Sequence, residues 1–195
     1  ETVTQASRLI ADLQDEIMTS RMVPVWQVFD RFPRLVRDAA RALSKDVNFV
    51  ISGKDIELDR SMLDEIGEPL VHLIRNSVDH GIESPEERVA LGKTPTGTIL
   101  LSAAQESNHV VITIMDDGGG IDAARVREKA VARGLLKGGE ALTERDVVHL
   151  IFSQGFSTRE SVTEVSGRGV ALDVVLKSIE RLDGLVEVET GRGMG

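Results

Sequence analysis

Apolar residues recur along this chain in blocks, some at helical spacing and some at strand spacing. Val3, Ala6, Ile10, Leu13 and Ile17 fall alternately three and four apart. That is a two-heptad seam, suited to a partner helix or equally to packing on the chain's own domain. Pro24 ends or kinks that helix. A second helix is expected from about Asp30, with Phe32, Leu35, Val36, Ala39 and Leu43 on one face. DVNFVISG then alternates Val47, Phe49 and Ile51 and stops at Gly53, as a half-buried strand does, and DIELD is short and strand-like. Asp59 or Ser61 can cap the helix that carries HLIRNSVDHG, residues 72–81. Ser84 to Glu87 has capping-box spacing and opens a short helix that Gly92 can terminate.

TGTILLSAA and HVVITIMDD are both strand-rich and read as a hairpin across QESN. Helices are expected from about Asp122 to Arg133, ending at Gly134, and from about Thr143 to Phe152. FSQGFSTRESVTEVSGRG is loop-like, VALDVVLKSIERLDG is a helix stopped by Gly184, and LVEVET is a last strand. The order α, β, β, α, β, β, α, α, β with hairpin-joined strands predicts an α+β fold, with helices on one face of a mixed sheet.

Composition narrows the function classes. The 195 residues suit one domain, and 41% hydrophobic with 28% charged residues is ordinary for a soluble globular protein. A net charge of −9 and only 3% aromatics argue against a nucleic-acid partner. With no cysteine there is no disulfide framework, no thiolate metal site and no Cys nucleophile. No apolar run approaches the ~20 residues of a membrane span, and residues 1–20 are polar and acidic rather than signal-like. The expectation is a cytoplasmic protein without membrane insertion.

The chemistry concentrates in three places. On a helix turning about 100° per residue, Arg75, Asn76, Asp79 and His80 all fall within about 80° of His72, opposite Leu63, Leu70 and Ile74. A solvated face is the bland alternative. Such faces are usually Lys and Glu, whereas Asn, His and Asp cost helix propensity. These side chains suit phosphate and metal chemistry: a carboxamide oxygen for Mg²⁺, a guanidinium fork for phosphate, an imidazole to orient or deprotonate a nucleophile. A zinc site from His72, Asp79 and His80 is weaker, because the two imidazoles lie two turns, about 12 Å, apart.

MDDGGGID, residues 115–122, joins a strand to a helix. Its glycines allow close backbone approach to a ligand, and Asp116 can accept a hydrogen bond from an exocyclic amine such as adenine's. A tight turn with a capping Asp is the alternative. The Rossmann pattern needs a third spaced glycine and is discarded. SGRGVALDVV, residues 166–175, opens another helix with Gly-x-Gly and Arg168, a weak anion signal. It does not match a P-loop. GFST, residues 155–158, lies in the long segment between the two loops, which has the character of a lid.

Together these motifs resemble the GHKL ATPase superfamily, which includes histidine kinases, gyrase B, Hsp90 and MutL. HLIRNSVDHGIESPEERVALGK, DDGGGID, GFST and VSGRGVALDVV are similar to the catalytic domain of the CheA family of chemotaxis histidine kinases. RMVPVWQVFDRFPRLVRDAA and ELDRSMLDEIGEPLVHL resemble the segment before its N box. The resemblance implies the Bergerat fold, a two-layer α/β sandwich holding ATP under a flexible lid. It implies residues 1–22 as the end of a helical dimerisation domain and 23–195 as the ATP-binding domain, with the closing Thr-rich strand cut short at GRGMG.

Carried onto matching positions, the resemblance makes Asn76 the Mg²⁺ ligand and sets His72 where many relatives have a general-base Glu. Arg75, Asp79 and His80 would lie near the phosphates or the ion. Asp116 would bind the adenine amine, with Gly118 and Gly120 shaping that pocket and Arg125 near the phosphates. Ser157, in the lid-like segment, would help bind the nucleotide. Gly167, Arg168, Gly169 and Val170 would form the lid's phosphate-side hinge, and Phe152 and Phe156 the F box. Gly119 stands where a larger residue is common, and Ala171 and Leu172 replace the usual Gly-Met.

The implied activity is transfer of the ATP γ-phosphoryl to a histidine on a separate phosphotransfer domain, usually in trans. Coupling protein, chemoreceptors and response regulators would engage other regions. The full protein would be a homodimer and this fragment a monomer. A clamp-type ATPase, or a nucleotide-binding regulatory module without transfer, are the alternatives.

Overall fold

The computed structural model describes residues 21–136, 142–153, 156, 172–191 and 193–195. Strand β1 (Met22–Pro24) pairs antiparallel with β3 (Glu57–Asp59) as a small ribbon. Pro24 therefore sits in a strand, with its neighbour Val25 donating to the Ile56 carbonyl at 2.8 Å. The seam at residues 3–17 lies outside the described residues.

The main sheet has the order β2-β4-β5, with β2 Val47–Ser52, β4 Gly97–Glu106 and β5 His109–Asp116. β2 runs parallel to β4, and β4 antiparallel to β5. The sheet is mixed, as expected. The hairpin turn is tighter than QESN implied: Glu106 pairs with His109, and Ser107 adopts φ 53°.

Period-two burial explains how this sheet carries its helices. Gly97, Ile99, Leu101 and Ala103 of β4 are buried, and Ile112, Ile114 and Asp116 share one side of β5. Against them pack α1 (Trp26–Phe29), α2 (Phe32–Ala42) and α3 (Arg60–Asn76). α3 contributes Leu63, Ile66, Leu70 and Ile74, spaced three and four apart. On α2 the inward residues are Phe32, Val36 and Ala40, while Leu43 is 43% exposed. Leu43 is the C-cap and Ser44 takes φ 52°, so the chain leaves the helix before the stripe reaches that position.

A second apolar cluster joins α5 (Ala123–Ala132), α6 (Glu144–His149), the 3-10 turn Leu150–Phe152 and α7 (Leu172–Glu180). The short α4 (Pro85–Ala90) stands apart from both. α7 spans the two clusters, with Leu172 and Leu176 on the second and Ile179 on the first. LVEVET forms no strand. Its alternation survives, since Val186 and Val188 pack on the second cluster, but no described strand supplies a ladder. Apolar alternation specifies a face, and a strand also needs a partner edge. Among the described residues, no helix is long and apolar enough to cross a membrane.

Candidate functional site

The helix of the HLIRNSVDHG motif starts where Asp59 accepts from the Ser61 N–H at 2.8 Å. It remains α-helical only to Asn76. Ser77–Gly81 form a π-helical turn, closed by Ile82 N–H donating to the Ser77 carbonyl at 2.8 Å. A wheel of uniform pitch therefore misplaces Asp79 and His80. Widened turns of this kind are frequent at functional sites.

Lys45 supports this turn from the end of α2. Its Nζ donates to the Val78 carbonyl at 2.8 Å and to the Asp79 carbonyl at 2.9 Å. Burial pulls the Lys45 ammonium below its ordinary pKa, and Asp79, Glu87 and Glu83 partly offset that. On the α2 side, Arg75 and Asp79 line an open groove with Arg31, Arg34 and Asp38. His72 and Asn76 are half-buried, and His80 is exposed.

At its far end the π turn meets the glycine loop. Gly119 N–H donates to the Gly81 carbonyl at 3.0 Å. A Cβ on Gly118 would lie 2.0 Å from that same oxygen, and one on Gly81 would lie 2.8 Å from the Asp116 carboxylate. Bare backbone is the only thing that fits here. Asp116 accepts from the Gly118 N–H at 3.1 Å. The consecutive aspartates thus divide: Asp116 faces Gly81, while Asp117 Oδ1 accepts from the Thr98 N–H at 2.8 Å.

A charged cluster lies behind the loop. Arg88, 1% exposed on α4, donates to Asp117 Oδ2 at 3.0 Å, Glu83 Oε2 at 3.0 Å and the Thr94 carbonyl at 2.7 Å. Lys93 donates to Glu83 Oε1 at 2.6 Å and to the carbonyls of Asp117 and Gly118 at 3.0 and 2.8 Å. Burial pushes the Glu83 carboxyl up, but its bonds from Lys93, backbone and Arg88 outweigh that and hold it below the ordinary value. The sequence reading passed over Lys45, Glu83, Arg88, Lys93 and Asp117. No sequence signal marked them; only the structure shows that α4 buries its arginine while Val89 and neighbouring Leu91 are 58% and 64% exposed, an inversion that marks a partnered charge.

A glycine loop packed on a polar helix end, with the Asp116 carboxylate at the junction, brings together a few polar groups of the kind that orient a bound ligand. The sequence profile of histidine kinase-, DNA gyrase B- and HSP90-like ATPases matches residues 65–195. The chain belongs to this ATPase family. The ATPase domain is 47% identical over its whole length to the sensor histidine kinase CheAY of Helicobacter pylori, covering 24% of that protein. It is also 47% identical to the chemotaxis protein CheA of Bacillus subtilis, covering 29% of it. Against CheA of Treponema pallidum, 93% of the chain aligns at 52% identity, covering 22% of that protein. The chain thus spans under a third of the length of these relatives.

The other expected site residues are distributed unevenly across the ATPase domain. Gly120 does not border Asp116 in the way Gly118 does. It takes φ 72°, and a Cβ there would lie 2.5 Å from the Gly191 carbonyl oxygen. Beside it, Ile121 N–H donates to Thr190 Oγ1 at 2.8 Å. Arg125 is exposed on the first turn of α5, where its N–H donates to the capping Asp122. Phe152 and Phe156 are buried in the second cluster, with Arg133 5.7 Å from the Phe156 ring centroid. Ser157, Gly167, Arg168, Gly169, Val170 and Ala171 lie outside the described residues.

Proposed function

We propose that this chain is the ATP-binding catalytic domain of a CheA-type histidine kinase in a cytoplasmic two-component pathway. The observation that carries the reading is the close crossing of Gly81 and Gly118 beside the Asp116 carboxylate. That crossing admits no Cβ, and the carboxylate beside it complements the exocyclic amine of adenine. The family match and the similarity of the whole chain to part of the chemotaxis kinases support the same reading.

The residues present also suit Mg²⁺. Among the described residues, no three His, Asp or Glu side chains converge as an all-protein cage. Mg²⁺ prefers one or two protein oxygens with phosphates and waters, and the Asn76 carboxamide is such a donor. When bound, the ion would neutralise charge on the triphosphate. Arg75, Asp79 and His80 would surround the phosphates and the ion's waters. His72 would orient the acceptor imidazole or take its proton. In the transfer, the bond from the γ-phosphorus to the bridging oxygen breaks, a phosphorus–nitrogen bond to the acceptor histidine forms, and ADP leaves.

The acceptor would be a histidine on a phosphotransfer domain of the same kinase, usually in the other subunit of a homodimer. Residues 1–22 would be the end of the dimerisation helices. Coupling protein, receptors and response regulators would be reached through other regions of the full protein. The chain by itself would be a monomer that phosphorylates a supplied domain and not itself.

The test is Mg²⁺-dependent ATP binding, followed by transfer of labelled phosphate to that phosphotransfer domain. Asn76→Ala is expected to abolish transfer. Unchanged affinity and transfer in that variant would overturn the site. Binding without transfer to any such domain would instead mark a regulatory module.

A further inference from the structure

Arg88 and Lys93 lie behind the glycine loop, yet they grip both walls of the Gly81–Gly118 crossing. Of their seven side-chain hydrogen bonds, three end on main-chain oxygens of the glycine loop: Asp117 O from Arg88 Nη1 at 3.2 Å and from Lys93 at 3.0 Å, and Gly118 O from Lys93 at 2.8 Å. A fourth ends on the Asp117 carboxylate, one peptide from Asp116. Two more end on Glu83, two residues beyond Gly81. The loop wall and the helix-end wall are thus tied to the same pair of cations.

Stability alone is a poor account of this arrangement. A buried ion cluster replaced by apolar residues of similar volume is often no less stable, and retention of such clusters is best attested where they fix register. Here the register in question is that of Asp116 against Gly81. A carboxylate discriminates an amine-bearing base from one with a carbonyl at that position only if it is held within hydrogen-bond reach. A planar guanidinium with several fixed donors holds a loop more rigidly than a flexible side chain does.

We propose that Arg88, assisted by Lys93, is a positioning residue that sets base selectivity by fixing Asp116. The inference rests on the nucleotide-site reading above. It predicts that loosening the cluster lowers discrimination between ATP and GTP while leaving the phosphate-dependent part of binding intact.

The experiment compares Mg·ATP and Mg·GTP affinities for the 195-residue chain and three variants, with far-UV circular dichroism to confirm folding. Asp116→Asn tests the site itself. If it leaves the ATP/GTP ratio unchanged, Asp116 does not read the base and the nucleotide-site reading falls. If Asp116→Asn lowers the ratio, Arg88→Met is expected to lower it by about tenfold, the scale of one charged hydrogen bond, with GTP affinity unchanged. A folded Arg88→Met chain with the parental ratio overturns the proposal while leaving the site standing. An equal loss for both nucleotides also overturns it, since that is the mark of a merely structural role. Lys93→Met, at a less buried position, decides by the same ratio if Arg88→Met does not fold.

Discussion

Gly81 and Gly118 cross so closely that a single added carbon on Gly118 would lie 2.0 Å from the Gly81 carbonyl oxygen. Backbone cannot retreat as a flexible side chain can, so Gly118→Ala should push the loop off the π turn. The expected cost is about 1–3 kcal/mol of stability, with nucleotide affinity down by more than about tenfold. Gly119→Ala is the control, because its nearest neighbour is a Glu83 side-chain oxygen at 3.7 Å. Urea unfolding and ATP titration of the two variants should diverge, and equal effects would refute the crossing.

Lys45→Met should uncap the turn that carries Asp79 and His80. Two carbonyls, of Val78 and Asp79, lose a charged donor. A loss of about 1–3 kcal/mol is expected. Hydrogen exchange should accelerate first at Ile82, whose N–H closes the turn onto Ser77. A global loss of protection with no local excess would contradict this.

The adjacent aspartates should respond differently to the same change. Asp117→Asn weakens the bonds from Arg88 and Thr98, so stability falls by about 1–2 kcal/mol. Asp116→Asn keeps an acceptor oxygen for the Gly118 N–H, so thermal stability should hold while ATP affinity falls. Calorimetry of unfolding and of ATP binding separates the two roles. Interchanged outcomes would mean that the assignment of the pair is reversed.

Acid should act through Glu83. The folded state holds this carboxyl below the ordinary 4.5, so it binds its proton less tightly than the unfolded chain does. The stability it contributes is complete above that ordinary value and is lost as pH falls through the lowered folded value. Glu83→Gln should be less stable than the parent near pH 7 (an about-neutral reference), and the gap should close under acid. A gap that stays constant across the acid range in denaturant titrations would exclude Glu83 as its source.

Much of this was legible in the sequence because it was local. Alternation in β2 and β4, the Asp59 cap and the Ser84–Glu87 capping box each depend on neighbours a few residues away. The Asp116–Gly118 contact lay within one motif. What escaped the reading was set by distant partners. The π turn depends on Lys45, more than thirty positions upstream. Burial of Arg88 depends on Asp117, 29 positions downstream. Met22–Pro24 became a strand because Glu57–Asp59 offered an edge. LVEVET has an apolar side and found no edge among the described strands.

Residues 53–96 leave the sheet at Ser52 and return at Gly97 to run parallel beside the strand they left. The polar helix, the widened turn, Glu83, Arg88 and Lys93 all belong to this one excursion, while Asp116 and its glycines arrive only with the hairpin that follows. Neither half of the crossing can therefore mature alone during folding. Ligand-binding competence should appear late, with closure of the hairpin onto the crossover, and a fragment ending before β5 should keep helical content yet have no affinity for nucleotide.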